Sequence, residues 1–125
     1  MTKKITKKIT SALTSELKAK LIYKACEDKK AIDLVCLDVS KLSSVADYFV
    51  IATGTSDRHV KAMGEAVIDC LRALGEKPQH REGLEEGMWA LLDSHDVMVH
   101  IFQETTRTFY GLEGVWHKAK KVKFG

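Results

Sequence analysis

One apolar run that passes through a glycine into an amphipathic segment constrains the fold more than any other feature. Residues 47–53, DYFVIAT, have the β-branched and aromatic content of a buried strand. Beyond Gly54, apolar residues recur at helical spacing as far as Leu74, and charged residues occupy the other side. Ser56 is suited to cap this helix and Gly75 to follow its end. A strand, a glycine turn and a helix in this order predict an α/β fold.

The remaining segments predict a mixed sheet with two long helices packed against it. Leu13, Leu17, Leu21 and Ala25 recur every four residues and predict a first helix that begins near Ser11. We predict strands at 32–39 and 47–53, an edge strand in the proline-containing segment 77–82, a hairpin of 88–93 and 96–102 turning at Ser94–His95, and a short helical segment from 105. The predicted fold class is therefore α/β, with a mixed sheet of about five strands flanked by helices.

Length and composition indicate one soluble domain. The chain has 125 residues, and its 45% apolar and 30% charged content is typical of globular proteins. No apolar run reaches the length of a membrane span, and the first ten residues lack the apolar stretch of a secretory signal. Cys26, Cys36 and Cys70 are odd in number and lie among apolar neighbours, which indicates buried thiols. We expect a cytoplasmic protein without membrane contact.

Lysines are concentrated at both ends of the chain. Residues 1–10 contain four lysines and no acid, and residues 118–125 contain four more, although the formal net charge is only +3. One interpretation treats these lysines as solvated, frayed tails. The other has them contact phosphate near a docking site. We take 1–10 and 118–125 as basic tails and 11–117 as a single domain.

The glycine turn raises the question of nucleotide chemistry, because backbone N–H groups at a helix start attract phosphate. A P-loop needs GxxxxGK[ST] and a dinucleotide site needs GxGxxG, and neither pattern follows the strand. A nucleotidyltransferase needs two carboxylates on the next strand to hold magnesium, but that segment reads KPQHRE. We therefore predict no catalytic residue and no cofactor, and we interpret the turn as a helix cap.

Asp93, His95 and Asp96 form the other polar group with potential chemistry, at the turn of the predicted hairpin. Carboxylates and imidazole can ligate a metal. Polar residues at a tight turn usually serve the turn itself, however, and we predict no metal site.

The hairpin itself is apolar on both faces, which is unusual in a small domain. Because side chains alternate along a strand, Trp89 and Leu91 lie on one face of the hairpin, and the other face is also apolar. Arg107, Tyr110 and Trp116 follow the hairpin, and Trp, Tyr and Arg are the residues that dominate interface hot spots. Trp89 is either a core residue or part of a protein-docking surface, and this composition favours docking.

Four blocks, in order, resemble the Iojap family, the bacterial ribosomal silencing factors. They are LDVSKLSSVADYFVIATGTSDRHV, WALLD, DVMVHIF and RxFYxLExxW, and the resemblance covers residues 11–117. It implies a nucleotidyltransferase-like fold without catalytic residues, often dimeric, that binds the fourteenth protein of the large ribosomal subunit. The bound factor then blocks joining of the small subunit, which slows translation in starvation or stationary phase.

The same resemblance implies which residues dock the partner. By position within the blocks, the partner-binding residues are Trp89, Leu91, Asp96, His100, Arg107, Tyr110, Leu112 and Glu113. The chain departs from the family pattern at His95, where a turn glycine is usual, and at Gly111 and Gly114, which loosen a segment that is usually a firmer helix. If the lysine-rich ends contact phosphate, the resemblance implies that this phosphate belongs to ribosomal RNA.

Two other functions stay open beside steric repression of translation. A nucleotide-binding or nucleotidyltransferase-type enzyme would use the glycine turn. An RNA-binding module would act through the lysine-rich ends.

Overall fold

The computed structural model describes residues 14–44, 46–106 and 118–124. Their elements, in chain order, are α1 (Ser15–Asp28), β1 (Ile32–Asp38), β2 (Tyr48–Gly54), α2 (Asp57–Ala73), β3 (His80–Glu82), β4 (Trp89–Ser94), β5 (Val97–Gln103) and β6 (Lys120–Val122). The strands form one sheet in the order β3-β4-β5-β2-β1-β6. β2 and β5 pair in parallel and the other neighbours are antiparallel. The predicted mixed α/β sheet is confirmed, with six strands instead of about five.

The two helices pack on one side of the sheet, here called the helix face. Their buried residues, among them Ile22, Met63 and Leu71, join Val50 and Val99 of the central strands in one apolar core. A second cluster lies on the other side, here called the opposite face, and includes Leu37, Phe49, Ile51 and Phe102. Both faces of the central strands are therefore buried, as expected where parallel pairing occupies the middle of a sheet.

The predicted cap of α2 is confirmed. The side chain of Ser56 accepts a hydrogen bond from the His59 N–H at 3.1 Å. Gly75 follows the helix with φ +79°, a conformation that glycine adopts without steric cost. For α1 the cap is Thr14, whose side chain accepts from the Leu17 N–H. Its helical span begins at Ser15, later than the predicted start near Ser11, and residues 11–13 lie outside the described residues.

The C-terminal lysines contain an unpredicted strand. β6 pairs with β1, placing Val122 opposite Cys36, and the Phe124 ring meets the Tyr23 ring edge to face at 5.3 Å. Residues 118–124 are therefore not the solvated tail that we expected. Lysine-rich composition concealed two apolar side chains, spaced two apart, that pack on the helix face.

The β4–β5 hairpin is confirmed, with its turn one residue later than predicted. His95 has φ +70°, and the Asp96 N–H donates to the Ser94 carbonyl at 2.9 Å, which closes a three-residue γ-turn. A side chain at this φ is strained. The helical segment predicted from 105 begins with residues 104–106, and its remainder lies outside the described residues.

All three cysteines are free thiols, as expected, and Cys26 and Cys36 are buried. Burial raises the pKa of Cys26 and of Cys36 to about 12, so both stay protonated and unreactive at neutral pH. Within the described segments, no helix is long and apolar enough to cross a membrane.

Candidate protein-docking site

One backbone N–H of the glycine turn is bonded to a side chain of the protein itself. Nδ1 of His59 accepts a hydrogen bond from the Thr55 N–H at 2.9 Å, and Nε2 lies 2.7 Å from the Lys29 carbonyl oxygen. A carbonyl oxygen only accepts, so the imidazole proton is on Nε2. A turn donor that would face a phosphate is therefore engaged by the chain itself.

Gly54 also has a packing reason to be glycine. A Cβ at this position would lie 3.0 Å from both Met63 Cε and Val60 Cγ2, closer than ordinary van der Waals contact. The missing side chain lets β2 approach α2, so this glycine serves strand–helix packing. The contacts at Gly54 therefore explain the glycine by packing between β2 and α2.

The polar residues at the hairpin turn are likewise engaged in structure. Asp93 accepts the His95 N–H at 3.0 Å. Across the described residues, no three His, Cys, Asp or Glu side chains are grouped so that they could hold a metal ion.

Asp96 belongs to an ion-pair network around a buried lysine. Lys18 is 3% exposed, and its Nζ donates to the Ser94 carbonyl at 3.0 Å, to Asp96 at 2.7 Å and to Glu76 at 2.6 Å. The Ser15 hydroxyl lies 2.6 Å from the second Asp96 oxygen. These contacts satisfy all three ammonium protons and join α1 to the β4–β5 turn.

The pKa shifts follow from these contacts. Burial alone would lower the pKa of Lys18, but its hydrogen bonds to Asp96 and Glu76 and their charges outweigh it, and the pKa is raised. Burial would raise the pKa of Asp96, but its hydrogen bonds from Lys18 and Ser15 and the lysine charge lower it. The predicted docking residue Asp96 thus stabilises the turn, at the end of the hairpin remote from Trp89.

Trp89 lies on the opposite face, within a group of aromatic rings. Its ring stacks on Phe102 at a centroid distance of 5.2 Å and 19° between planes. It also lies against His100 at 6.2 Å and 25°, and its indole Nε1–H donates to His100 Nδ1 at 3.4 Å. Strand pairing places Trp89 beside Phe102 and Leu91 beside His100. The orientation of the indole is therefore set by two neighbours on β5.

The large apolar side chains of this hairpin that are partly or largely exposed are Trp89 and Leu91 of β4, Met88 just before it and Met98 of β5. Trp89 and Leu91 are half-buried and Met88 is 49% exposed, whereas Phe102 is fully buried. We call Met88, Trp89 and Leu91 the β4 patch. Sequence reasoning selected Trp89 and Leu91 and not Met88, because alternation over 88–93 gives Met88 to the face of Ala90 and Leu92.

His100 lies in the interior beneath the β4 patch. It is 7% exposed, and burial lowers its pKa to about 4, so the ring is neutral at pH 7. Because Nδ1 accepts from Trp89, the proton is on Nε2, which is buried and has no hydrogen-bond partner within the part of the chain that the structure describes. The structure thus places His100 behind Trp89 and not at the surface.

The other predicted docking residues, Arg107, Tyr110, Leu112 and Glu113, lie outside the described residues, as do Gly111 and Gly114. Among the described candidates, the structure brings Trp89, Leu91 and His100 together and keeps Asp96 apart.

Fold and site together define a mixed-sheet α/β protein with a partly exposed tryptophan on β4 and a glycine turn in which the His59 side chain engages the Thr55 N–H. A family model described as "Ribosomal silencing factor during starvation" matches residues 12–125. The chain therefore belongs to this family, named RsfS, and the predicted family is confirmed.

Named relatives agree with this assignment. The ribosomal silencing factor RsfS of Bacillus subtilis is 40% identical over 100 residues, 80% of this chain and 85% of the relative. That of Chromobacterium violaceum is 40% identical over 98 residues, 78% and 80% of the two chains. The chloroplastic protein Iojap of Arabidopsis thaliana is 33% identical over 103 residues, 80% of this chain and 42% of the relative.

Solved structures share the fold. A crystal structure of a Chromobacterium violaceum protein superposes with a TM-score of 0.81 at 37% identity, covering 90% of this chain and 92% of that one. A second, from Bacillus halodurans, gives a TM-score of 0.75 at 32% identity, covering 84% and 95%.

Proposed function

We propose that this protein is a ribosomal silencing factor of the cytoplasm that represses translation without catalysis. It binds the large ribosomal subunit through its fourteenth protein and keeps the small subunit from joining, in starvation or stationary phase. The proposal is supported by the silencing-factor names of relatives at 35–40% identity and by the family model.

The observation that carries the docking part is the β4 patch. Half-buried Trp89 and half-buried Leu91 lie on one face of β4, and exposed Met88 immediately precedes the strand. Large aromatic and aliphatic side chains that are only partly covered supply most of the binding energy when a partner completes their burial. A patch of this kind suits contact with a protein surface.

The Trp89 side chain is also oriented before binding. The Trp89 ring is held by stacking on Phe102 and by its hydrogen bond to His100. Because the indole is already oriented, docking costs little side-chain entropy. A factor that blocks another subunit sterically benefits from a surface that does not rearrange.

We assign the remaining candidates as follows. Arg107, Tyr110, Leu112 and Glu113 stay predicted contacts of the same partner. His100 and Asp96 act indirectly, by orienting Trp89 and by fixing the hairpin turn. We further propose a homodimer, a single domain that extends from residue 11 through β6, and a basic tail at 1–10.

Sedimentation with separated ribosomal subunits tests the proposal. The protein should travel with the large subunit and lower the yield of joined particles when the small subunit is added. Bovine serum albumin at the same concentration serves as the control for crowding. Comigration with the small subunit alone, or joining that proceeds at the control level, would contradict it.

The competing function, a nucleotide-binding or nucleotidyltransferase-type enzyme, predicts binding of ATP with magnesium. The His59 side chain already engages the Thr55 N–H of the turn, which leaves this turn poorly suited to phosphate. Calorimetry at millimolar ATP and magnesium should therefore show no heat of binding.

A further inference from the structure

The edge strand β3 places two ionisable side chains on the same side of the sheet as Trp89. In the antiparallel ladder of β3 and β4, Glu82 pairs with Leu91 and His80 pairs with Asp93. Leu91 lies on the opposite face with Trp89, because residues two apart in a strand share a face. Residues paired directly across a ladder also share a face. Glu82 therefore lies on the opposite face, at the border of the β4 patch.

The separation between Glu82 and Leu91 is short. Residues paired directly in an antiparallel ladder have their Cβ atoms about 4.5–5.5 Å apart. The Glu82 side chain is 65% exposed, and Leu91 is half-buried. A partner surface that completes the burial of Leu91 therefore also reaches the Glu82 side chain and removes water from it.

Carboxylates dominate the charge of this part of the opposite face. Glu82 and Asp93 both project from it. Within β3, β4 and β5, all of which the structure describes, no lysine or arginine joins them, since Arg81 pairs with Leu92 of the helix-face core. Asp93 is half-buried and accepts the His95 N–H. Glu82 is thus the carboxylate that is more open to a partner.

Within residues 14–44, 46–106 and 118–124, the one ion-pair contact of Glu82 is with the His80 ring. A neutral imidazole that donates this hydrogen bond leaves the carboxylate negatively charged. A charged group that loses water on docking needs hydrogen-bond donors and an opposite charge in exchange. A lysine or arginine side chain of the partner supplies both.

We propose that Glu82 is a further contact residue of the docking site, and that the partner protein places a lysine or arginine side chain against it. This cation lies next to the partner surface that covers Leu91. The inference rests on the proposed function and adds the chemistry of the partner surface to it. Binding then combines apolar contact at the β4 patch with a charge contact at its border, as in interfaces where a polar rim surrounds an apolar centre.

Association kinetics with purified large subunits test this proposal. Charges at the rim of an interface act mainly on the association rate and on its salt dependence. We choose about 50 mM salt for weak screening and about pH 8 to keep histidine side chains neutral. Glu82→Gln should then associate about threefold more slowly than the unmodified protein. The difference should shrink at about 300 mM salt, where screening is stronger.

Two control variants separate the local charge from other effects. Glu65→Gln removes the same charge from the exposed side of α2, which packs on the helix face. Because the RNA of the large subunit is negative, losing an acid through net charge alone should leave the association rate equal or faster. Glu82→Asp keeps the carboxylate and should associate as fast as the unmodified protein. The isolated ribosomal protein, free of RNA, should show the same slowing with Glu82→Gln.

Three results would overturn the inference while the proposed function stands. The first is an association rate of Glu82→Gln that equals or exceeds that of Glu65→Gln, because no partner cation would then face this carboxylate. The second is equal slowing by Glu82→Asp and Glu82→Gln, which would assign the loss to side-chain shape. The third is slowing that is absent with the isolated ribosomal protein. If the unmodified protein does not bind the large subunit at all, the proposed function itself fails.

Discussion

The indole N–H of Trp89 points at Nδ1 of His100 across the β4–β5 ladder, 3.4 Å away. The contact joins the partly exposed residue of the β4 patch to a buried imidazole that is neutral at pH 7. Protonating that imidazole would remove the acceptor and place a charge in an apolar interior. The relationship therefore links surface geometry, protein stability and pH.

The stability of the protein should fall between pH 6.5 and 4. Burial lowers the pKa of His100 from 6.5 to about 4 in the folded protein, so the unfolded state binds the extra proton within this window and stability rises with pH there. Above pH 6.5 the contribution of His100 to the free energy of unfolding is fully present. From pH 7.5 to pH 5.0, the free energy of unfolding should drop by about 2 kcal/mol from this residue.

Urea denaturation of the His100→Asn variant isolates this contribution. Asparagine cannot titrate and offers an acceptor near the former Nδ1 position. The variant should be less stable than the unmodified protein at pH 7.5, yet its decline to pH 5.0 should be about 2 kcal/mol smaller. Parallel pH profiles for the two proteins would show that His100 is not held neutral.

Removing the Lys18 ammonium should destabilise the fold strongly. Lys18→Met leaves Asp96, Glu76 and the Ser94 carbonyl without their shared donor, which should cost about 3 kcal/mol. Lys20→Met, an exposed position on the same helix, is the matched control and should change the free energy of unfolding by less than about 0.5 kcal/mol. Similar urea midpoints for both variants would contradict the network.

His95→Gly should stabilise the protein. His95 holds φ +70°, a conformation that costs a residue with a Cβ about 1–2 kcal/mol. Glycine removes this cost, but its unfolded state has more conformational freedom, which offsets part of the gain. A net gain of up to about 1 kcal/mol in thermal or urea denaturation is expected. His95→Ala keeps a Cβ and should show no such gain. A gain as large with alanine as with glycine would point away from backbone strain.

Gly54→Ala should lower stability without touching partner binding. The new methyl would press on Met63 and Val60 at 3.0 Å, and overpacking of this kind costs about 1–3 kcal/mol. At a temperature where the variant is folded by circular dichroism, its binding to large subunits should equal that of the unmodified protein. Lost binding by a folded variant would give the turn a functional role.

The parts of the fold that the sequence predicted well are those with a strong local signal. β2 and α2 were predictable because an apolar run, a serine cap and a terminal glycine follow each other within one short stretch. The segment 77–82 was correctly predicted to form an edge strand, because Pro78, just before β3, lacks the N–H that a central strand would need.

The parts that the sequence concealed depend on contacts between distant residues. Val122 is paired with Cys36, far along the chain, and its lysine neighbours masked the apolar alternation of β6. In the sequence, Asp96 has the features of a polar turn residue. Its ion pair with Lys18 of α1 joins residues that are far apart in the chain, so the sequence did not predict it. His100 lies in a strand that is apolar on both faces, so alternation alone could not decide whether it is exposed.

The central claim is that Trp89 makes the contact by which this protein holds the large subunit. Trp89→Ala should be compared, in titrations of large-subunit binding, with the control Leu42→Ala, which truncates an apolar side chain that is 47% exposed and lies away from the patch. Hot-spot truncations cost about 2 kcal/mol or more, a loss of about thirtyfold in affinity. That loss for a folded Trp89→Ala protein, with unchanged affinity for Leu42→Ala, is the predicted result. Unchanged affinity for Trp89→Ala would contradict the claim.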